Sequence, residues 1–284
     1  MIDLYYAYEN VIDLCLLNAV LAFACLLLLG VNLLSLATGG LMALGAYLSI
    51  WLTMQKGWSF GPALLAATLL GSLAAAGLGA LVLRLRGDYF AMATLAFTEV
   101  VRILALNWDS VTGGALGVFG IPKHTETWQL AALLLLVVYL VWAIRNSAIG
   151  DRMRAVAEDE LAVTASGHDV ARLKRALFTA SGAIAGLGGA LAAHLNMFVA
   201  PGDFGFLRSM DAVLAPVLGG VWNLFGAAIG AAILTLLPEL LRFSAQWREI
   251  LIGAVTLLAV LFLPAGVASL PRRLLRGAHP GRIA

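Results

Sequence analysis

The chain has 284 residues, of which 62% are hydrophobic and 12% charged, and a formal net charge of +2; its mean hydropathy is +0.94. Soluble domains carry about 25% charged and about 45–50% apolar residues, so this composition excludes an ordinary soluble enzyme. It fits a chain embedded in lipid, and the net charge is too small to argue for a nucleic-acid partner.

A membrane-spanning helix needs about 20 predominantly apolar residues. In chain order such stretches fall at 11–33, 36–54, 59–83, 88–107, 128–144, 174–194, 225–242 and 247–264. The opening "MIDLYYAYEN" lacks the basic region of a signal peptide, so the first span is expected to be retained. Cys15 and Cys25 share that span. Their spacing is about 15 Å along a helix, and a disulfide needs Cα atoms within roughly 7 Å, so they cannot bridge. The shorter stretch 209–222, "SMDAVLAPVLGGVW", reads either as an oblique ninth span or as a broken, re-entrant helix inside the protein.

Basic residues mark the cytoplasmic loops of membrane proteins. They cluster after the third span (Arg84, Arg86), around the central polar loop (Arg145, Arg152, Arg154, Arg172, Lys174, Arg175) and in the tail (Arg272, Arg273, Arg276, Arg282). The N-terminus, with Asp3 and Glu9 but no Lys or Arg, then falls outside and the C-terminus inside. That requires an odd number of crossings. The expected fold is all-α: a polytopic membrane protein of about nine transmembrane helices, with eight and ten as bounds. It forms a single domain, 1–284, with a cytoplasmic loop at about 145–173 and a basic cytoplasmic tail at 265–284.

Glycine is abundant, at 30 residues, and densest in "ATGGLMALGAY" (37–47), "SGAIAGLGGALAAH" (181–194) and "LGGVWNLFGAAIGAAI" (218–233). Small residues let helix backbones approach closely in lipid; around Gly39 and Gly40 they also suit a segment that unwinds beside a permeation path. Glu99 and Arg102 are three apart and share a helix face. An intramembrane ion pair is a functional candidate, against the plain alternative of a structural pair. "DSVTGGALGVFGIP" (109–122) reads as a structured external loop.

The most unusual stretch is "AVAEDELAVTASGHDVARLK" (155–174), acidic at Glu158, Asp159 and Glu160. It reads as a short cytoplasmic helix starting near Ala157, with acids in its first turn complementing the dipole and Gly167 ending it. Such a helix is either a solvated connector or a docking knob for a soluble partner. The chain has no Walker A sequence, no zinc-ligand spacing and no G-x-S-x-G elbow. It is therefore expected to be no enzyme and to bind no cofactor or metal of its own. Transport would draw on an ion gradient, with Glu99 or Asp211 as coupling groups, or on a partner's ATP hydrolysis.

Three stretches resemble the LivM-like membrane subunits of ABC importers for branched-chain amino acids: "LSLATGGLMALGAYL" (34–48), "LRGDYFAMATLAFTEVVRILALNWDSVTGGALGVFGIP" (85–122), and the run from "IGDRMRAVAEDELAVTASGHDV" to "LTLLPELL" (149–241). The last two are the more specific. The resemblance implies an ABC importer permease of the bacterial inner membrane, paired with a second homologous permease. It also implies two cytoplasmic ABC ATPases carrying ATP and Mg, and a periplasmic substrate-binding protein. It casts Glu158, Asp159, Glu160, Ala162, Gly167 and His168 as ATPase-coupling residues, and Gly39, Gly40, Glu99, Arg102, Thr112, Gly113 and Gly114 as path or external-loop residues. Two departures stand out. "ASGHD" replaces the family's "ALGIN", and "TGGALGV" replaces "TGGPNGI". The second leaves urea, short amides or another small solute open as cargo beside branched-chain amino acids.

Overall fold

The computed structural model of the chain describes residues 2–240 together with Ile250, Gly253, Ala254, Leu257 and Gly266. The last expected span, 247–264, lies outside the described residues except at four of these positions, and the basic tail, 265–284, except at Gly266. Among the described residues up to Leu240, eleven α-helices follow one another: α1 (Ile2–Leu29), α2 (Thr38–Ile50), α3 (Phe60–Val82), α4 (Asp88–Asn107), α5 (Asp109–Thr112), α6 (Thr127–Arg145), α7 (Ala148–Glu158), α8 (Glu160–Ala165), α9 (Val170–Asn196), α10 (Phe206–Gly219) and α11 (Gly226–Leu240). Residues Glu9–Leu29 of α1, and α3, α4, α6 and α9, are each long and apolar enough to cross a membrane. Two short strands, β1 (Val118–Phe119) and β2 (Phe198–Val199), pair antiparallel.

Helices α1, α2 and α9 form the buried centre. α1 is enclosed from Val20 to Leu28, and α2 and α9 lie against each other and against α3. The small residues of α9 make this possible. A Cβ added at Gly186 would lie 2.7 Å from the Ala67 carbonyl oxygen, and one at Gly71 would lie 2.5 Å from that of Gly182. Gly45 of α2 and Gly189 of α9 meet the backbones of Gly186 and Met42 just as closely. In lipid such packing replaces water exclusion as the force between helices. The outer edge of α3 carries Leu65, Leu69, Leu73 and Leu81, each more than 60% exposed. These lie four or eight residues apart, on one apolar stripe.

The two ends of the bundle differ. At one, the ribbon end, β1 and β2 lie beside the C-termini of α4 and α9, and Lys123 stands 3.8 Å from Glu9 near the start of α1. At the other, the arm end, α7 and α8 project between α6 and α9. The α10–α11 turn is at the arm end too, because the Arg145 guanidinium donates to the Val221 carbonyl (2.7 Å). The ambiguous stretch 209–222 is thus a helix that runs toward the arm end and then turns. Helix α10 has 14 residues and so spans about 21 Å, and a 3-10 turn, Pro201–Phe204, precedes it.

The first span stops at Leu29 rather than 33. Asn32 adopts φ 54, while Leu33 N donates to Leu28 O and Asn32 N to Leu29 O (3.0 and 3.1 Å). This is the Schellman closure, which tolerates asparagine in the left-handed position. Residues 30–37 then run unwound, buried except at Asn32 and Leu34, before α2 begins. Both cysteines are free, and Cys25 Sγ sits 3.2 Å from the Thr38 hydroxyl.

Candidate functional site

Unwound backbone inside a membrane protein needs partners for its polar groups. They come from α4 and α10. The Thr94 hydroxyl accepts from Leu36 N (3.0 Å) and the Thr98 hydroxyl donates to Leu36 O (2.7 Å). Thr98 also accepts from Gly40 N (3.3 Å), and Ser209 accepts from Gly39 N (3.0 Å). These bonds satisfy the first amides of α2, which no helix satisfies for itself. All three hydroxyl residues are fully enclosed. Gly39 is needed for the approach, since a Cβ there would lie 2.6 Å from Phe204 O and 2.8 Å from Ser209 Oγ. At Gly40 a Cβ would lie 2.9 Å from Thr98 Cα. The start of α2 and the start of α10 therefore meet inside the bundle, against α4.

Glu99 and Arg102 belong to this junction. Arg102 Nε donates to Glu99 Oε2 (2.7 Å), and both side chains are about one-third exposed. Behind them is Gly205, the residue before α10, where a Cβ would lie 3.3 Å from Arg102 Cδ. One turn into α10 come Arg208 and Asp211, also three apart. Arg208 reaches a crevice of about 210 Å³ shared with Asn196, Asp203 and Phe204. The flank formed by α4 and α10 thus carries several ionisable groups at membrane depth. Sequence reading singled out Gly39, Gly40, Glu99 and Arg102 but not Thr94, Thr98, Ser209 or Arg208. The threonines left a faint signal, two hydroxyls four residues apart and so on one helix face.

Thr112, Gly113 and Gly114 lie elsewhere, at the ribbon end. The Thr112 hydroxyl donates to the Ala105 and Trp108 carbonyls, closing the end of α4. Gly113 and Gly114 have φ of 70 and 59, and Gly113 ends α5. Their immediate work is to turn the chain. Nearby, His194 is completely buried. Its Nδ1 lies 3.0 Å from Pro122 O and its Nε2 3.0 Å from Ser49 Oγ. A carbonyl can only accept, so Nδ1 carries the proton and Ser49 donates to Nε2. His124 is adjacent, with ring centroids 5.7 Å apart. Among the described residues no group of three or more His, Cys, Asp or Glu could hold a metal ion.

At the arm end the expected helix from Ala157 to Gly167 is two helices. Glu158 is the last residue of α7, the backbone turns out at Asp159 (φ −151, ψ 102), and α8 starts at Glu160. The reason is the Asp159 carboxylate, whose Oδ1 accepts from Leu161 N (2.8 Å) and Ala162 N (3.0 Å). An aspartate that caps the following amides favours ending one helix and beginning another. Gly167, at φ 87, closes α8, and His168 N reaches back to Val163 O (3.4 Å). The His168 ring Nδ1 lies 3.2 Å from Ser166 Oγ. Glu158, Asp159, Glu160, Ala162, Gly167 and His168 are all exposed, and Leu161 is 69% exposed.

The arm is nevertheless pinned to the bundle. Lys174 Nζ on α9 meets Glu160 Oε2 at 2.8 Å. Met153 and Val156 of α7 are buried, and a Cβ at Gly30 would lie 2.9 Å from Met153 Cε. Asn32 donates to Ala157 O (2.8 Å). α7 thus grips the beginning of the unwound segment whose other end enters α2. An isolated six-residue helix is unstable in water, so its cap matters. Asp159→Ala is expected to destabilise α8 by about 1 kcal/mol, seen as faster amide exchange at 160–166 with α7 unchanged. Equal exchange in both proteins would show that the Asp159 cap does not hold α8.

Residues 8–260 match the family described as branched-chain amino acid transport system / permease component. The chain is 33% identical over 302 residues to the high-affinity branched-chain amino acid transport system permease protein LivM of Escherichia coli, covering 93% of this chain and 69% of that relative. It is 30% identical to the autoinducer 2 import system permease protein LsrC of Enterobacter sp., over 80% of this chain and 68% of the relative. A third relative is the E. coli permease protein LivH, 30% identical over 51% of this chain and 46% of the relative. No solved structure matches. With the helical bundle, the membrane-depth junction and these likenesses together, the chain belongs to the family of branched-chain amino acid transport system permease components.

Proposed function

We propose that this permease forms half of the translocation path of an ATP-driven importer for branched-chain or other hydrophobic amino acids. A second homologous permease supplies the other half. Two cytoplasmic ABC ATPases, holding ATP and Mg, dock on α7 and α8, and a periplasmic binding protein delivers cargo at the ribbon end, near Thr112–Gly114. The arm end then faces the cytoplasm and the N-terminus the outside, in the bacterial inner membrane. The observation that carries the reading is the arm: α8, exposed with Leu161 outward, follows directly on α7, which Asn32 and Met153 clamp onto the segment that leads into α2. A push on α8 would move residues 30–37, and with them the Gly39–Ser209 contact.

The α4–α10 flank supports the same reading. Charged groups at membrane depth avoid lipid and face protein or water. Glu99, Arg102 and Asp211 therefore suit the side turned to the second permease and the path. The relatives differ in cargo by name, amino acids for LivM and autoinducer 2 for LsrC. The same importer type for urea, short amides or another small solute is the second reading.

The test is Glu158→Lys with Glu160→Lys in the assembled importer, reconstituted in vesicles with its binding protein. Leucine uptake and substrate-stimulated ATP hydrolysis are expected to be lost while insertion and subunit abundance hold. Normal uptake by the double variant would remove the coupling role. Uptake without ATP that collapses with an uncoupler would replace the whole reading with an ion-coupled carrier.

A further inference from the structure

Helices α3 and α4 splay apart over α2 and leave a cavity of about 370 Å³, roofed by α5. Its walls are apolar: Leu44, Leu48, Leu70, Val101, Leu104 and Ala105 contribute. On α4 the wall residues Val101, Leu104 and Ala105 lie about 120–160° around the helix from Glu99 at 100° per residue, with Ala105 nearer Arg102, and Trp108 follows the end of α4. Neither Glu99 nor Arg102 lines the cavity.

Two features say what would fill it. Trp51 and Trp108 line it toward the ribbon end, and tryptophan gathers where acyl chains give way to headgroups. Beside them stands a cation. Lys56 Nζ lies 5.0 Å from the Trp51 ring centroid, and Lys56 is exposed, with no acidic partner among the described residues. Tyr47, on the α2 wall, is 6% exposed, with its hydroxyl enclosed.

We propose that this cavity holds an acyl chain of a phospholipid from the leaflet at the ribbon end, with its phosphate at Lys56. An apolar slot within a bilayer fills with hydrocarbon, and an ammonium over the Trp51 ring that lines it attracts a headgroup phosphate. The occupant would bear on transport through Tyr47, whose ring packs edge-on against Phe204 (5.8 Å). Phe204 in turn abuts Gly39. The proposal goes beyond the importer reading and does not depend on what the importer carries.

The experiment uses the assembled importer in vesicles of phosphatidylethanolamine and phosphatidylglycerol, doped with phosphatidylglycerol bearing a diazirine in one acyl chain. After irradiation, adducts are mapped by mass spectrometry. Adducts are expected to concentrate on Leu44, Tyr47, Leu104 and Trp108, above the level at Leu69 and Leu73 on the outer stripe of α3. Ala105→Trp, which fills the cavity, is expected to shift them away several-fold without changing α3. Lys56→Glu changes an exposed side chain and leaves packing intact. It is expected to lower cavity labelling several-fold, and it decides the matter if the tryptophan variant does not fold. Wall labelling no denser than at Leu69 and Leu73, or unmoved by Lys56→Glu, overturns the proposal. So do unlabelled walls in the assembled importer, which would mean that the second permease covers them.

Discussion

Gly186→Leu is expected to prevent assembly of the bundle, with little protein recovered from the membrane and none of it monodisperse in detergent. Gly186 lies where three helices meet. A Cβ there would stand 2.7 Å from Ala67 O and 3.0 Å from Gly71 Cα, both on α3, while Gly45 of α2 presses on the Gly186 backbone from another side. These neighbours are backbone atoms, so no side chain can swing aside. Inserting extra carbons into a packed core ordinarily costs about 1–3 kcal/mol. Here relief requires α9 to part from both α2 and α3, which forfeits the close packing that holds helices together in lipid. Gly77→Leu is the control, since nothing lies within 4 Å of a Cβ at Gly77. Normal accumulation and a normal elution profile for Gly186→Leu would show that the α2–α3–α9 contact is not what holds the centre.

The second large effect is expected at Glu99 and Arg102. Glu99→Gln leaves the Arg102 guanidinium without its carboxylate partner next to Gly205. Breaking a fully buried ion pair at one partner costs about 3–5 kcal/mol. This pair is one-third exposed, so its cost falls below that range. Lower abundance of the single variant is therefore expected, together with loss of uptake. The double variant Glu99→Leu, Arg102→Leu separates structure from transport. It removes both charges at once, so abundance should recover. Uptake should not, if the pair faces the path between the two permeases. Recovery of uptake along with abundance would make the pair a structural brace and remove it from the path.

The helix bounds were legible to within a few residues wherever a span is one long apolar run, as in α3, α4 and α6. Hydropathy is a sum over neighbours in the chain, and for those helices neighbours decide. It is less informative where the chain leaves a helix inside the membrane. The stop at Leu29 had a local sign, Gly30 and Asn32, but a long apolar run hid it. The break at Asp159 had one as well. An aspartate two and three residues before the amides it caps can start a helix as readily as it can decorate one, and the acids beside it made a single helix the simpler reading.

The candidate site was partly legible. Glycine pairs and an intramembrane ion pair drew attention to Gly39, Gly40, Glu99 and Arg102. That these four share one junction was not readable, because the residues that join them, Thr98, Ser209 and Gly205, come from positions far apart in the chain. Thr112–Gly114 drew the same attention and proved to be the turn that closes α4 and α5.

By itself, then, the sequence determined that the chain lives in lipid, roughly where its helices lie, that its acidic arm is polar and exposed, and that small residues line its inner faces. Those are properties of composition and local spacing. Tertiary structure alone decided where the backbone unwinds and which hydroxyls answer it, that the arm grips residues 30–32, and that α3 and α4 part to leave a cavity over α2. In lipid an unwound carbonyl or amide can exist only where another segment supplies its hydrogen bond, and that partner is known only once the helices are packed.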